Sequence, residues 1–255
     1  MTERATDLPP ATPDLLPADL VPPADPTAPA LLDVPGVRNL RDAAITGVRP
    51  GLLYRSGHLA ELTPAGADRL GELGLRTVID LRTPTELALL PDQRHHLDFT
   101  HLHHPVLPGR EERGDNWPVG QTELYRHMPD IGGPAIAATA RHLTTPGALP
   151  ALVHCAVGKD RTGLTIAVLQ LLAGASLPAV HADFLRSNPN LGLAHGPIPY
   201  TDEHGNEGIS HPVTPHLLTT ALTHILTTHP SIPAYLHHHG LTHPELDTLQ
   251  TLLAG

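Results

Sequence analysis

The chain has almost no cysteine and few basic residues. Cys155 is the only cysteine in 255 residues, so no disulfide can form within the chain, which fits a reducing cytoplasm. Lysine and arginine number 16 against 26 acidic residues, which gives a formal net charge of -10. This balance does not suit a general nucleic-acid binder or a protein of anionic membrane surfaces. We therefore expect no nucleic acid among its partners.

Long apolar runs are also absent. No segment approaches the roughly 18 consecutive apolar residues of a membrane span, so we expect no transmembrane segment. The N-terminus lacks a basic stretch followed by an apolar one, which predicts no ordinary signal peptide and a cytoplasmic location, with signal-independent secretion left open. Residues 1–30 contain eight prolines and little apolar periodicity, so they are predicted to be a disordered tail. Residues 31–255 are predicted to form one catalytic domain.

The rest of the chain alternates between strand and helix patterns, which predicts an α/β fold with a central, mostly parallel sheet and helices on both faces. Strands are predicted at Thr77–Leu81 and Ala151–His154, after a short strand pair around Leu40 and Leu53. Helices are predicted at 63–73, 121–128, 133–143, 162–174, 177–187, 214–228 and 243–253. The segment 189–213 is rich in glycine and proline and is predicted to be a loop.

The single cysteine lies in the most informative segment of the chain, between a predicted strand and a predicted helix. The segment is His154-Cys155-Ala156-Val157-Gly158-Lys159-Asp160-Arg161-Thr162-Gly163. A free thiol has a pKa near 8.5, and both a helix N-terminus and a guanidinium favour its thiolate form. We therefore predict that Cys155 attacks phosphorus and forms a phosphocysteine, which water later hydrolyses. A buried, purely structural cysteine would not require a histidine, glycines, an arginine and a threonine at these positions, so a structural role is disfavoured.

The residues after Cys155 are predicted to hold the phosphoryl oxygens. Backbone N–H groups at a strand-to-helix turn converge on an anion, and a guanidinium can bind two oxygens at once. The predicted phosphate-binding residues are Ala156, Val157, Gly158, Lys159, Asp160 and Arg161. Thr162 can donate its hydroxyl to the thiolate, and His154 is expected to orient the loop. A Walker A loop is excluded, because an aspartate follows Gly158-Lys159.

Further segments surround this loop in an order that resembles the bacterial tyrosine-protein phosphatase family, including its mycobacterial members of dual or triple specificity. The segments are Asn39–Asp42, Leu53–Gly57, Thr77–Arg82 with Glu86, Ala182–Asn188 and Tyr235–Leu241. The resemblance implies a cysteine-phosphatase fold, hydrolysis of phosphate monoesters, no cofactor and no metal. It also implies that Lys159 adds charge for multiply anionic substrates. In the mycobacterial members a helical insertion forms a lid over the site; the short segment 189–213 predicts a more open mouth here.

The leaving oxygen needs a proton donor. Many tyrosine phosphatases carry this acid in a Trp-Pro-Asp loop, but Trp117-Pro118 is followed by Val119, with Asp115 as a near neighbour. Asp160 lies inside the loop, as in phosphatases whose signature carries the acid. Asp80 would end a strand at the sheet edge where ligands bind.

Asp80 could equally well form a salt bridge with Arg82 or Arg55 and have no catalytic role. We favour Asp160 and keep Asp80 as the alternative. Arg41 and Arg55 are predicted supporting residues near the site, although they could equally serve to tie loops together.

The 20 histidines suggest metal binding at first sight. One group contains His101, His103 and His104, and another is His237–His239. No H-E-x-x-H or paired-cysteine pattern accompanies them, so we predict surface histidines and no metal site. A strand from the first group could lie beside the strand that ends at Asp80.

The predicted function is that of a protein-tyrosine phosphatase. The same chemistry on a phosphoinositide or on a phosphorylated sugar or nucleoside stays open, so the partner is a phosphoprotein or a small phosphomonoester. A phosphate-binding module without turnover is disfavoured, because Cys155, Arg161 and a candidate acid are all present. The sequence leaves the oligomeric state open.

Overall fold

The computed structural model describes residues 21–22, 29–202 and 204–255, so most of the predicted disordered tail, residues 1–30, lies outside the described residues. Five strands form the central sheet: β1 (Arg41–Asp42), β2 (Leu53–Ser56), β3 (Thr77–Asp80), β4 (Thr100–His103) and β5 (Ala151–His154). Their order is β1-β2-β5-β3-β4, and the three pairs from β2 to β4 are parallel, whereas β1 runs antiparallel to β2. The predicted mostly parallel sheet is confirmed.

Helices and one hairpin complete the described domain. The helices are α1 (Pro64–Gly71), α2 (Pro84–Leu89), α3 (Gln121–Leu143), α4 (Asp160–Leu172), α5 (Leu177–Leu185), α6 (Ser187–Asn190), α7 (Pro215–Thr228), α8 (Ile232–His238) and α9 (His243–Leu253). The hairpin pairs β6 (Ile198–Thr201) with β7 (Glu207–Ser210). Within the described ranges, no helix is both long enough and apolar enough to span a bilayer.

Serine and threonine caps explain why a proline-rich chain is so helical. Among the described helices, α1, α2, α5, α7, α8 and α9 each begin after a Ser or Thr whose side chain accepts a hydrogen bond from the N–H three residues later. Each of these helices also has a proline in its first turn. Proline is tolerated there because its missing N–H would have no intrahelical partner.

The sheet is covered on both faces, because neighbouring side chains of a strand point to opposite sides. One face carries Leu53, Ile79 and Val153, and the other carries Tyr54, Val78 and Leu152. The first face packs against α3, α4, α5, α7, α8 and α9, whereas α1 covers the second through Ala67 and Leu70. Helices on both faces are therefore confirmed, with unequal numbers on the two sides.

The carboxyl ends of the parallel strands meet at one edge of the sheet. Ser56, His154, Asp80 and His103 are in register there, at the ends of β2, β5, β3 and β4. The segments that follow these strands therefore converge, as expected for the ligand-binding edge of an open α/β sheet.

Helix α3 differs from the prediction of two helices at 121–128 and 133–143. It is continuous from Gln121 to Leu143 and contains Pro129 and Pro134. An internal proline costs about 3 kcal/mol, so tertiary packing must compensate. At Gly132 a Cβ would lie 2.6 Å from Cγ1 of Val106, which shows how closely this helix approaches the segment after β4.

The predicted loop 189–213 is wrong in part, because it contains the hairpin β6–β7. The Asp202 side chain forms its turn by accepting hydrogen bonds from the N–H groups of His204, at 3.0 Å, and Asn206, at 2.8 Å. Aspartate side chains commonly stabilise turns in this way. The many glycines and prolines of the segment concealed two strands of four residues each.

Candidate active site

The candidate site is built on the loop Cys155–Lys159, which joins β5 to α4 at the carboxyl edge of the sheet. Gly158 has a φ of +70°, and a Cβ there would lie 2.3 Å from the carbonyl of Ser56. Glycine therefore permits both the left-handed conformation and the close approach to β2. Cys155 is only 2% exposed at the base of this turn.

Groups behind the loop bind its carbonyl oxygens. Asn39 Nδ2 and Arg55 Nη2 donate to the Gly158 carbonyl at 2.9 and 3.0 Å, and the His58 N–H donates to the Ala156 carbonyl at 3.2 Å. In a trans peptide unit the N–H points opposite to the C=O. The N–H groups of Val157 and Lys159 therefore point away from these partners, toward the open side of the loop. This arrangement forms an anion cradle.

The surroundings of Cys155 favour its thiolate. Burial would raise the pKa of the Cys155 thiol, but the Arg161 charge and the neighbouring hydroxyl and N–H of Thr162 outweigh it and lower the pKa below its ordinary value. Helix α4 begins at Asp160, two residues before the predicted start at residue 162, so its N-terminus adds to the effect.

Glu86 fixes the Arg161 guanidinium. Its two carboxylate oxygens accept from Nη1 and Nη2 of Arg161 at 2.5 and 2.7 Å. Burial would raise the pKa of Glu86, but the hydrogen bonds and charge of Arg161 lower it to about 2. Glu86 also caps α2, because it accepts from the Thr83 N–H at 2.8 Å. A guanidinium has five N–H donors, and Glu86 takes two, which leaves three for phosphoryl oxygens.

Asp160 and Tyr125 form a hydrogen-bonded pair next to the cradle. The Tyr125 hydroxyl donates to Asp160 Oδ1 at 2.7 Å. Asp160 keeps a 30% exposed side chain and lines the cleft, and its second oxygen lies 3.7 Å from Lys159 Nζ. Tyr125 is buried, and burial together with the Asp160 carboxylate raises its pKa well above the ordinary range, so the hydroxyl stays protonated.

Asp80 lies at the sheet edge as predicted, but its carboxylate is fully buried and engaged. Arg82 Nη2 donates to Asp80 at 2.7 Å and to Asp92 at 2.9 Å. His154 lies on the same network, with Nε2 2.9 Å from Asp92 and Nδ1 3.8 Å from Asp80. Burial would lower the pKa of His154, but the two carboxylates raise it. This geometry favours Asp160 over Asp80 as the acid.

Arg41 and Arg55 lie behind the loop and not among the residues that line the cleft. Both are buried and both donate to Asp183, Arg41 Nε at 2.9 Å and Arg55 Nη1 at 2.7 Å. Burial would raise the pKa of Asp183, but the two arginines lower it. This buried triad joins β1 and β2 to α5, which matches the alternative that these arginines tie segments together.

The loop lysine faces the hairpin. Lys159 Nζ donates at 2.5 Å to the carbonyl of His211, just after β7, and lies 3.4 Å from Oγ of Ser210, the last residue of β7. Asp202, at the end of β6, pairs with Arg110 across the mouth at 3.1 Å. The predicted open mouth is therefore corrected: the hairpin covers one side of the site.

The resulting cleft has a volume of about 680 Å³. It is lined by the loop residues and by hairpin residues such as Tyr200 and Ile209. Its described lining also carries six lysine and arginine side chains against four carboxylates, although the whole chain is strongly acidic. The lining includes neither Asp115 nor the histidines of β4, although β4 does lie beside β3 as predicted. The cleft thus suits an anionic ligand.

A family model for the tyrosine phosphatase family matches residues 32–255. This chain belongs to the tyrosine phosphatase family. It is 29% identical over 277 residues to the triple specificity protein phosphatase PtpB of Mycobacterium tuberculosis, with 89% of this chain and 100% of that protein covered. It is 32% identical over 189 residues to a Cupriavidus necator protein named as a tyrosine-protein phosphatase, with 64% and 68% covered.

Among solved structures, TpbA of P. aeruginosa matches at 21% identity and a TM-score of 0.37, over 61% of this chain and 76% of that one. The family assignment confirms the predicted enzyme class, a cysteine-dependent phosphatase.

Three residues of this phosphatase site were missed or left without a role by sequence reasoning. Glu86 was noted only as part of the resemblance, although Thr83-Pro84-Thr85-Glu86 carries the pattern of a capping box and predicts a helix there. Tyr125 and Asp92 gave no local signal, because their partners lie 35 and 62 residues away in Asp160 and His154.

Proposed function

We propose that this phosphatase hydrolyses phosphotyrosine in proteins through a phosphocysteine intermediate on Cys155. The observation that carries the proposal is the buried Cys155 sulfur at the base of a backbone cradle, beside an Arg161 guanidinium that Glu86 holds in place. Preorganised donors of this kind stabilise the charge of a transferring phosphoryl group.

In the first step the Cys155 thiolate attacks phosphorus opposite the ester oxygen. The P–S bond forms while the P–O bond to the substrate breaks. Arg161 and the loop N–H groups hold the three remaining phosphoryl oxygens. Asp160, in its protonated form, transfers its proton to the departing oxygen, so the alcohol or phenol leaves neutral. Tyr125 orients Asp160 through the hydrogen bond to Oδ1.

In the second step water attacks the phosphocysteine. Asp160, now a carboxylate, takes a proton from that water, so a new P–O bond forms as the P–S bond breaks. The Thr162 hydroxyl stabilises the departing thiolate, consistent with its effect on the pKa of Cys155. Inorganic phosphate leaves and the thiolate is restored.

A second candidate substrate class uses the same chemistry. The cations at the mouth, including Arg110 and Arg113, lie beyond the loop that holds the reacting phosphate and line the same cleft. They favour a substrate with additional anionic groups, such as a phosphoinositide or a multiply phosphorylated sugar or nucleoside.

A substrate panel at pH 5–8 without added metal tests the proposal. It compares a phosphotyrosine peptide, a phosphoserine peptide, phosphoinositides and sugar and nucleoside monophosphates, with Cys155→Ser as the matched control. We expect the highest kcat/KM for the phosphotyrosine peptide and no turnover by Cys155→Ser, which should still bind inorganic phosphate. A hundredfold preference for one small phosphate ester would replace the protein substrate with that ester. Phosphate release that survives in Cys155→Ser would overturn the mechanism.

A further inference from the structure

Three histidines converge outside the catalytic cleft. His229 caps the C-terminus of α7, His238 is the last residue of α8, and His239 caps α8. A ring nitrogen of each lies within 4.8 Å of the other two. The ring centroids of His229 and His238 are 4.8 Å apart, and those of His238 and His239 are 4.9 Å apart. None of the three lines the cleft around Cys155.

Packing holds the His239 ring in this position. It lies against Gly133 of α3, where a Cβ would come 2.2 Å from Nε2, so this helix has space for the imidazole only because residue 133 is glycine. Nε2 of His239 is buried and has no hydrogen-bond partner among the described residues. The nearby His237 and His224 differ, because His237 Nδ1 contacts the Leu241 carbonyl at 2.7 Å and His224 Nε2 contacts Asp130 at 2.8 Å.

The environment of the cluster favours a cation. Helices α7 and α8 both end at it, and the C-terminus of a helix carries partial negative charge. The Tyr235 hydroxyl donates to the Pro129 carbonyl at 2.8 Å and so fixes α8 against α3 next to the cluster.

We propose that His229, His238 and His239 form a binding site for a zinc-type divalent transition-metal ion. Imidazole suits such ions, and three histidines with one water complete a tetrahedral shell. Zinc–nitrogen distances of about 2.0–2.1 Å require ring nitrogens about 3.3 Å apart. The ring nitrogens now lie up to 4.8 Å apart, so metal binding requires side-chain rotations that bring all three closer together. This proposal departs from the sequence-based expectation of no metal site. That expectation relied on local ligand motifs, whereas these three ligands come from the ends of two different helices.

A second group in the described chain also brings possible metal ligands together, but it is not a candidate metal site. Asp80, Asp92, His101 and His154 also have ligand atoms within 4.8 Å of one another. The Arg82 guanidinium already bridges Asp80 and Asp92, at 2.7 and 2.9 Å, and offsets part of their charge. A divalent cation there would meet a fixed positive charge.

Calorimetric titration with Zn²⁺ and Co²⁺ tests the proposal on the full chain after chelator treatment. The Cys155→Ser variant is the parent protein, which removes the only thiolate that would compete for the metal. We expect one equivalent bound, and at least tenfold weaker binding by His238→Ala or His229→Ala. The matched control His237→Ala should bind within twofold of the parent, since His237 stacks on His243 outside the cluster. Metal at 100-fold over Kd should raise Tm by about 5–10 °C.

His238 is exposed, so its truncation leaves the fold intact, which circular dichroism can verify. Three results would each overturn the proposal: no stoichiometric binding by the parent, equal weakening by His237→Ala, or loss of binding in His101→Ala instead. These readouts do not involve phosphatase activity, so the metal proposal and the proposed function can fail separately.

Discussion

Asp160 is next to Arg161 in the chain, yet its orientation depends on Tyr125, which donates to it at 2.7 Å from helix α3. Asp160→Asn should slow a phosphate ester with a poor leaving group, such as a phosphotyrosine peptide, by about 10²–10⁴-fold. An activated aryl phosphate needs less protonation and should slow by much less. The comparison of kcat/KM for the two substrates checks this expectation.

Two matched variants complete the Asp160 test. Asp115→Asn should leave both rates unchanged, because Asp115 does not line the cleft. Asp80→Asn should lower both rates equally and reduce stability, because it disturbs the buried network with Arg82. A selective loss in Asp80→Asn would contradict our choice of acid and make Asp80 the proton donor.

The lowered pKa of Glu86 predicts that the stability of the folded protein falls at acidic pH. Its folded pKa of about 2 is below its ordinary value of 4.5, which corresponds to stabilisation on the order of 3 kcal/mol. Because the folded pKa is depressed, this stabilisation is present above pH 4.5 and is lost as the pH falls toward 2. Urea unfolding of Glu86→Gln should show a deficit at pH 7 that shrinks toward pH 3. The exposed Glu72→Gln should show no such deficit; an equal deficit at both pH values would refute the linkage.

At the scale of elements, the start of α4 packs unusually closely against α5. A Cβ at Gly163 would lie 2.7 Å from the Phe184 ring. Alanine favours a helix over glycine by about 1 kcal/mol, but overpacking typically costs 1–3 kcal/mol. Gly163→Ala should therefore lower the free energy of unfolding. Gly71→Ala in α1 meets only a Leu97 methyl at 3.3 Å and should be neutral or stabilising in the same denaturation experiment.

The hairpin β6–β7 should affect large substrates more than small ones. Tyr200 lines the cleft and is 44% exposed, so a peptide can pack against it whereas p-nitrophenyl phosphate remains within the loop. Tyr200→Ala should raise KM severalfold for a phosphotyrosine peptide and leave the small ester nearly unchanged. Val119→Ala, an exposed residue outside the cleft, is the control. Equal changes in KM for both substrates would contradict this expectation and would indicate that the hairpin acts on the catalytic loop instead of on the peptide.

The elements also show how far the sequence could be interpreted. The loop from Cys155 to Arg161 was predictable because one contiguous segment carries its chemistry. The continuity of α3 was not, because only contacts such as that of Gly132 with Val106 offset the cost of its prolines. The hairpin was hidden because it pairs with itself at the edge of the cleft, where apolar alternation is weak.

Residues that position the reacting groups were harder to predict than the reacting groups themselves, because their contacts are not local in the sequence. Glu86, Tyr125 and Asp92 act through partners that are distant in the chain, and a single sequence contains no record of such pairs. Arg41 and Arg55 show the converse, since their charge suggested the cleft but their partner is the buried Asp183.

For the whole molecule, one cysteine means that an oxidised nucleophile has no second thiol in the chain to form a disulfide. The lowered pKa of Cys155 increases the thiolate fraction at a given pH and with it the sensitivity of the sulfur to peroxide. Brief peroxide treatment should abolish activity, added phosphate should protect by occupying the loop, and external thiol should restore activity. Iodoacetamide labelling of Cys155 checks each stage. Inactivation that phosphate does not slow would contradict an accessible thiolate within the cradle.

The carbonyl groups of Ala156 and Gly158 in the Cys155 loop are bound from behind by Asn39, Arg55 and His58, all of which belong to the protein itself. The conformational entropy of this turn is therefore lost when the chain folds, not when a phosphate ester arrives. Substrate binding then requires displacement of solvent and little reordering of the backbone. The Val157 and Lys159 N–H groups, which face the open side of the loop, should exchange with deuterium more slowly once an anion accepts their hydrogen bonds, whereas the exchange of the segments behind the loop should stay unchanged.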